Sequence, residues 1–170
     1  TSAWRIAACD CAVMRAARLS GLSSSKPAVS MMRSAYGPNC ASAARQSRVT
    51  PGVSCTSAIF LPDAGGQRYR AIVAVGDIAE AVQSTVINVG EGIIGSLVQS
   101  GRAEFINDTQ ADLRAIQIPG TGKEEHERLM VAPLLAGETV KGVMAVWRTS
   151  GQPFGDTDLE FLVGLSLPDD

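Results

Sequence analysis

The sequence has 170 residues, 45% of them apolar, which is the size and composition of one domain with one core. A net charge of -2 gives no reason to expect a nucleic-acid or membrane partner. No run approaches the ~18 consecutive apolar residues of a membrane helix, and the start lacks the basic-then-apolar layout of a secretory signal, so a soluble, cytoplasmic protein is expected.

The charge is unevenly spread. Residues 1–53 hold six arginines and Lys26 against Asp10 alone, a net +6, so the rest must carry -8. This first segment is rich in Ala, Ser and Arg. Residues 6–22 favour a helix by composition, but their apolar residues form no clean stripe. Three accounts compete for it: a transit-type targeting peptide, a loosely folded extension, or wrong-frame translation of a GC-rich gene. The composition favours the last two over the first. All four cysteines (Cys9, Cys11, Cys40, Cys55) lie in the first third, so the remainder is unstapled and suits a reducing compartment.

From Ser57 the texture changes. Ala58 to Leu61 reads as a short apolar strand, Asp63-Ala64-Gly65-Gly66 as a turn, and Arg68 to Val75 as the partner strand of a hairpin. Residues 78–83 add a helical turn. Ser84 to Val89 looks extended, Gly90-Glu91-Gly92-Ile93-Ile94-Gly95 turns tightly into one or two helical turns, and Gly101 stops them. A strand at Ala103 to Ile106 runs into Asn107-Asp108, a turning and capping pair. After a loop-prone stretch from Leu113 to Arg128, the apolar run Leu129 to Leu135 predicts a buried strand, and Thr139 to Arg148 the longest strand of the chain, joined to it by a turn at Ala136-Gly137-Glu138. A closing helix is predicted from Thr157 to Ser166, with Thr157 and Glu160 as its capping box, Asp156 and Asp158 at the positive end of its dipole, and Phe154 folded back on its first turn.

Gly90-Glu91-Gly92-Ile93-Ile94-Gly95, Ser100-Gly101-Arg102, Ile106-Asn107-Asp108, Val131-Ala132-Pro133-Leu134, Gly142 to Val146, and Phe154 with Asp158 resemble, in that order and spacing, a GAF domain. The likeness runs from about Ser54 to Leu165. It implies an α+β fold: a central antiparallel sheet of five or six strands with helices on its faces, occupying residues 54–170. It also implies an amphipathic helix leading into the first strand, which is not recognisable here. No kinase, cyclase or phosphatase pattern follows the closing helix, so the resemblance points to a fragment or stand-alone piece of a bacterial-type regulatory protein.

Several motifs have sharper readings that their context weakens. Gly90 to Gly95 satisfies the dinucleotide pattern G-x-G-x-x-G, but no long helix and parallel strand follow, and the nearest acids, Asp108 and Asp112, fall too early. Glycines that let a short helix pack closely on a sheet explain it better. Gly120-Thr121-Gly122-Lys123 lacks the first glycine and the final hydroxyl of a phosphate loop, having Gln117 and Glu124 there. His126, the single histidine, sits in the charged run 123–128, a solvated loop or helix face, with no cysteine near for a metal site. Cys9-x-Cys11 is too closely set for a zinc or redox pair, and Cys55 reads as a small hydrophobe beside the first strand.

Proteins similar to this fold that reduce methionine sulfoxide or attach a bilin use cysteines in the pocket loops; residues 102–130 contain none. Cyclic-nucleotide binders of the family carry Asn-Lys after the long strand and Phe-x-x-x-Asp-Glu at the last helix, whereas this chain has Arg148-Thr149, then Phe154 and Asp158 followed by Leu159. The resemblance leaves a generic pocket between the sheet and the connections after Phe105 and before Leu129. Asn107, Asp108, Arg114, Gln117 and Arg128 would supply polar contacts, with Phe105, Ile106, Ile116, Met130 and Val131 as apolar walls. The expected function is noncatalytic small-molecule sensing or signal transduction, with no cofactor and no metal. The alternatives are a homodimerising module, joined through its terminal helices and with the pocket filled by its own loops, and a small redox enzyme on the same scaffold.

Overall fold

The computed structural model describes residues 55–122 and 126–166. The segment 1–53, with its three competing accounts, therefore lies outside the described residues. Within the described residues ten elements follow in order. β1 is Cys55–Pro62, β2 Arg68–Gly76, α1 Ala79–Ser84, β3 Val86–Asn88, α2 Gly92–Ser100 and β4 Glu104–Ile106; then come a 3-10 turn at Thr109–Ala111, β5 Arg128–Ala136, β6 Thr139–Arg148 and α3 Asp156–Ser166. The strands form one sheet in the order β3-β2-β1-β6-β5-β4, every neighbouring pair antiparallel. This is the expected α+β architecture with six strands.

The continuous apolar runs of β1, β5 and β6 arise because these central strands are covered on both faces. Alternate residues separate into two cores. Ile59, Met130, Ala132, Met144 and Val146 face α3, whose Leu162 is wholly buried among them with Phe154. Ala58, Phe60, Leu129, Val131, Val143, Ala145 and Trp147 face the other way, under Val82 of α1 and Ile93, Ile94, Leu97 and Val98 of α2. Burying side chains this large stabilises by about 1.5–3 kcal/mol each before chain entropy is counted.

Pro133 can stand within β5 because β4 pairs only with Leu129 to Val131, leaving β5 a single neighbour at that point. The β5–β6 hairpin closes through Gly137-Glu138, with Ala136 opposite Thr139.

Two boundaries differ from the sequence reading. The stretch 84–89 yields a strand of only three residues, because Ser84 ends α1. The Ser84 and Thr85 hydroxyls donate to the carbonyls of Glu80 and Ala81 (3.0 and 2.8 Å), which satisfies the end of α1 at the strand's expense. At α3 the reciprocal cap sits two residues earlier than Thr157 and Glu160. The Gly155 N–H donates to Asp158 Oδ2 at 3.0 Å, while the Asp158 N–H donates to the Gly155 carbonyl. Phe154 is buried as expected, so its Phe-x-x-x-Asp spacing to Asp158 is occupied by the start of this helix.

Candidate functional site

The stretch from Asn88 to Gly95 sets the position of α2. The Glu91 N–H donates to the Asn88 carbonyl (3.1 Å) and the Gly90 N–H to the Gly95 carbonyl (2.8 Å), folding the turn against the first helical residues. A Cβ on Gly95 would run into the Asn88 carbonyl oxygen, so only glycine lets the helix lie this close to β3. Gly92 takes a left-handed φ of 69°, and a Cβ there would crowd the Ile116 side chain at 3.3 Å. The glycine pattern therefore serves close packing of a short helix against a strand.

Beneath this turn lies a cavity of about 310 Å³. Its floor is the sheet face presenting Phe60, Leu129 and Trp147, with the two rings edge to face at 6.2 Å. One side is Val82, the end of α1 and β3; another is Glu91 to Ile94; the third is the loop from Ala115 to Pro119. Thr109 and Glu127 complete the lining. The Thr109 hydroxyl donates to Glu127 Oε1 (3.1 Å) and its N–H to the Glu127 carbonyl (3.0 Å), tying together the two ends of the long connection between β4 and β5. At the mouth, Asn88 Nδ2 donates to Glu91 Oε2 at 2.6 Å.

Of the residues expected to surround a ligand, Ile116 and Gln117 line this cavity. Ile116 does so with 61% of its surface still exposed. Val131 and Ile106 pack in the same core, Val131 wholly buried. Phe105 and Met130 point to the opposite face, toward α3.

The polar candidates are engaged in holding the chain together. Asn107 pairs with the backbone of Phe154 as a strand would: its Nδ2 donates to the Phe154 carbonyl (3.0 Å) and its Oδ1 accepts the Phe154 N–H (2.8 Å). Asp108 Oδ1 accepts the N–H groups of Gln110 and Ala111, capping the 3-10 turn. Arg128 donates to the Gly151 carbonyl at 3.1 Å, and Gln117 Nε2 to the Thr121 carbonyl at 2.8 Å.

Arg114 bridges two elements. Its guanidinium donates to both carboxylate oxygens of Asp112 (2.7 and 3.0 Å) and both of Glu104 (3.0 and 3.2 Å), pinning the loop to β4. The Arg114 hydrogen bond holds the Asp112 carboxyl below the usual aspartate range, outweighing the upward push of burial.

Phe60, Trp147, Asn88, Glu91, Ile93 and Glu127 were not foreseen as lining residues. Strand alternation could have placed Trp147 and Leu129 on one face, since they pair across β5 and β6. His126 is exposed, with a left-handed φ of 68°, and does not line the cavity. Among the described residues no group of three His, Cys, Asp or Glu is placed to hold a metal ion. No described helix is long and apolar enough to cross a membrane.

Solved structures share this architecture at low identity. The GAF domain of a phosphoenolpyruvate-protein phosphotransferase from Acinetobacter is 24% identical, with a TM-score of 0.56 over 65% of this chain and 66% of that one. The free methionine-R-sulfoxide reductase of Neisseria meningitidis, solved with its substrate, is 21% identical, with a TM-score of 0.55 over 65% and 62%. The second GAF domain of DevS from Mycobacterium smegmatis is 22% identical, with a TM-score of 0.52 over 65% and 73%. No curated protein matches the sequence. The GAF domain model matches residues 38–166, well over half of the sequence, and the chain belongs to the GAF domain family.

Proposed function

We propose that this domain is a noncatalytic sensor of a small molecule within a bacterial-type regulatory protein of the cytoplasm. The observation that carries the reading is the cavity of about 310 Å³, at the lower end of the range for small-molecule sites and walled mainly by aromatic and branched aliphatic side chains. Ile116 and Gln117 would contact the ligand directly; Arg114, by fixing the loop to β4, would position them.

The neighbouring structures include a reductase as well as signalling-protein domains, so the fold supports either role. Binding without chemistry is favoured because the described lining offers no thiol or imidazole, the groups that nucleophilic or redox work would draw on. Ligand would order the connections between 107 and 128 and shift the packing of the terminal helices, which requires unequal affinity for two arrangements.

The cavity itself, with Ile116 among its lining residues, favours sensing over a module that only homodimerises through its terminal helices. A metabolite thermal-shift screen run beside analytical ultracentrifugation tests this. A stabilising ligand that also slows hydrogen exchange in residues 107–122 and in α3 is expected. A dimer indifferent to every compound would refute the sensor and leave the dimerisation module.

A further inference from the structure

The charge of the cavity goes further than its shape, and the inference rests on the sensor reading above. The described lining contains two ionisable side chains, Glu91 at the mouth and Glu127 on the long connection, and both are acids. No lysine or arginine is among the described lining residues. Arg114, the basic residue of the loop that forms the third wall, is engaged by Asp112 and Glu104 at four hydrogen-bonding distances of 3.2 Å or less.

An anion entering here would meet like charge with no counter-ion, and a phosphate would meet it twice over. The floor of Phe60, Leu129 and Trp147 offers an apolar surface to an uncharged body.

We propose that the cavity takes a compact amine: an ammonium group directed toward Glu91 and Glu127, and a ring or branched aliphatic body against Phe60, Ile94, Ile116, Leu129 and Trp147. Carboxylates, phosphates and cyclic nucleotides are selected against. Both carboxylates are positioned before a cation arrives, because Asn88 donates to Glu91 and Thr109 to Glu127.

The test uses a series matched in shape and differing in charge: 2-phenylethylamine, 2-phenylethanol and phenylacetate, with cyclic AMP as a phosphate probe. The 170-residue chain carrying Trp4→Phe has Trp147 as its sole indole, so its fluorescence reports the cavity floor. The amine should bind about tenfold or more tightly than phenylacetate at low salt, with the alcohol between them. In the Glu91→Gln/Glu127→Gln double variant, which keeps an acceptor oxygen for Asn88 and Thr109, the ratio should collapse toward one.

Phenylacetate or cyclic AMP binding as tightly as the amine would overturn the charge assignment while leaving a ligand-binding cavity. So would a charge preference that survives in the double variant. If no member of the series and no metabolite in the screen perturbs Trp147, both the amine site and the sensor reading fall.

Discussion

Replacing glycine by alanine should have opposite effects in two helices of this domain, and the structure says which way each goes. In a helix interior alanine is favoured over glycine by about 1 kcal/mol. Gly164, exposed in the last turn of α3, has nothing within 4 Å of the position a Cβ would take, so Gly164→Ala should gain up to about 1 kcal/mol.

Gly95, buried in α2, has the same propensity to gain, but its new methyl would coincide with the carbonyl oxygen of Asn88. That oxygen is backbone and also accepts the Glu91 N–H, so it cannot swing aside as a side chain would. Either α2 lifts from β3 or the 88–91 turn opens. Overpacking of this kind costs about 1–3 kcal/mol. With a lost turn hydrogen bond of about 1 kcal/mol added, the propensity gain is exceeded, and Gly95→Ala should lose about 1–3 kcal/mol net. For a domain of this size that is a fall in melting temperature of roughly 4–12 °C. Thermal melts of the two variants beside the parent give the answer. Gly95→Ala melting at or above the parent would show that α2 does not depend on contact with β3, and would undo the account of the glycine turn.

Removing the Asp158 side chain should cost about 1 kcal/mol of helix cap, whereas Thr157→Ala and Glu160→Ala should each stay within about 0.5 kcal/mol; urea midpoints for the three locate the cap. Asn107→Ala removes both hydrogen bonds to the Phe154 backbone and should lower stability by about 1–3 kcal/mol while leaving the amine-over-carboxylate ratio unchanged, since Asn107 does not line the cavity. Arg114→Met should change global stability by less than about 1 kcal/mol, because all three charges are partly exposed, yet speed hydrogen exchange across residues 112–121. The folded Asp112 carboxyl is held below its unfolded value, so its stabilising contribution is present above about pH 4 and lost as pH falls through the lowered value. The melting temperature of Arg114→Met should therefore fall less steeply than the parent's on acidification below about pH 4.

The sheet was legible because burial on both faces leaves its mark on consecutive residues. Leu129 to Leu135 and Thr139 to Arg148 contain few polar interruptions, and two glycine-bearing turns, at 63–66 and 137–138, fix which strands are neighbours. The glycines at 90, 92 and 95 were equally informative, since strand context alone favoured close packing over a dinucleotide site. The cavity was much less so.

Polar side chains on a loop read as ligand contacts only if nothing in the fold claims them first, and sequence does not show such claims. Asn107 is engaged by Phe154, 47 positions away, Arg128 by Gly151, and Arg114 by Glu104 on another element. The cap at α3 misled for a related reason: Thr157 and Glu160 have the right spacing, but Gly155 and Asp158 have it too, and burial of Phe154 decides where the first turn begins.

Conversely, Glu91 looked like the filler of a glycine turn, and Glu127 like one more charge in a solvated run. What distinguishes them is that both line one cavity from segments more than thirty residues apart, each carboxylate accepting a hydrogen bond, from Asn88 or Thr109. A cavity lined this way is written in the long-range packing of a strand edge, a helix start and a loop, so its walls become visible only when those three are brought together.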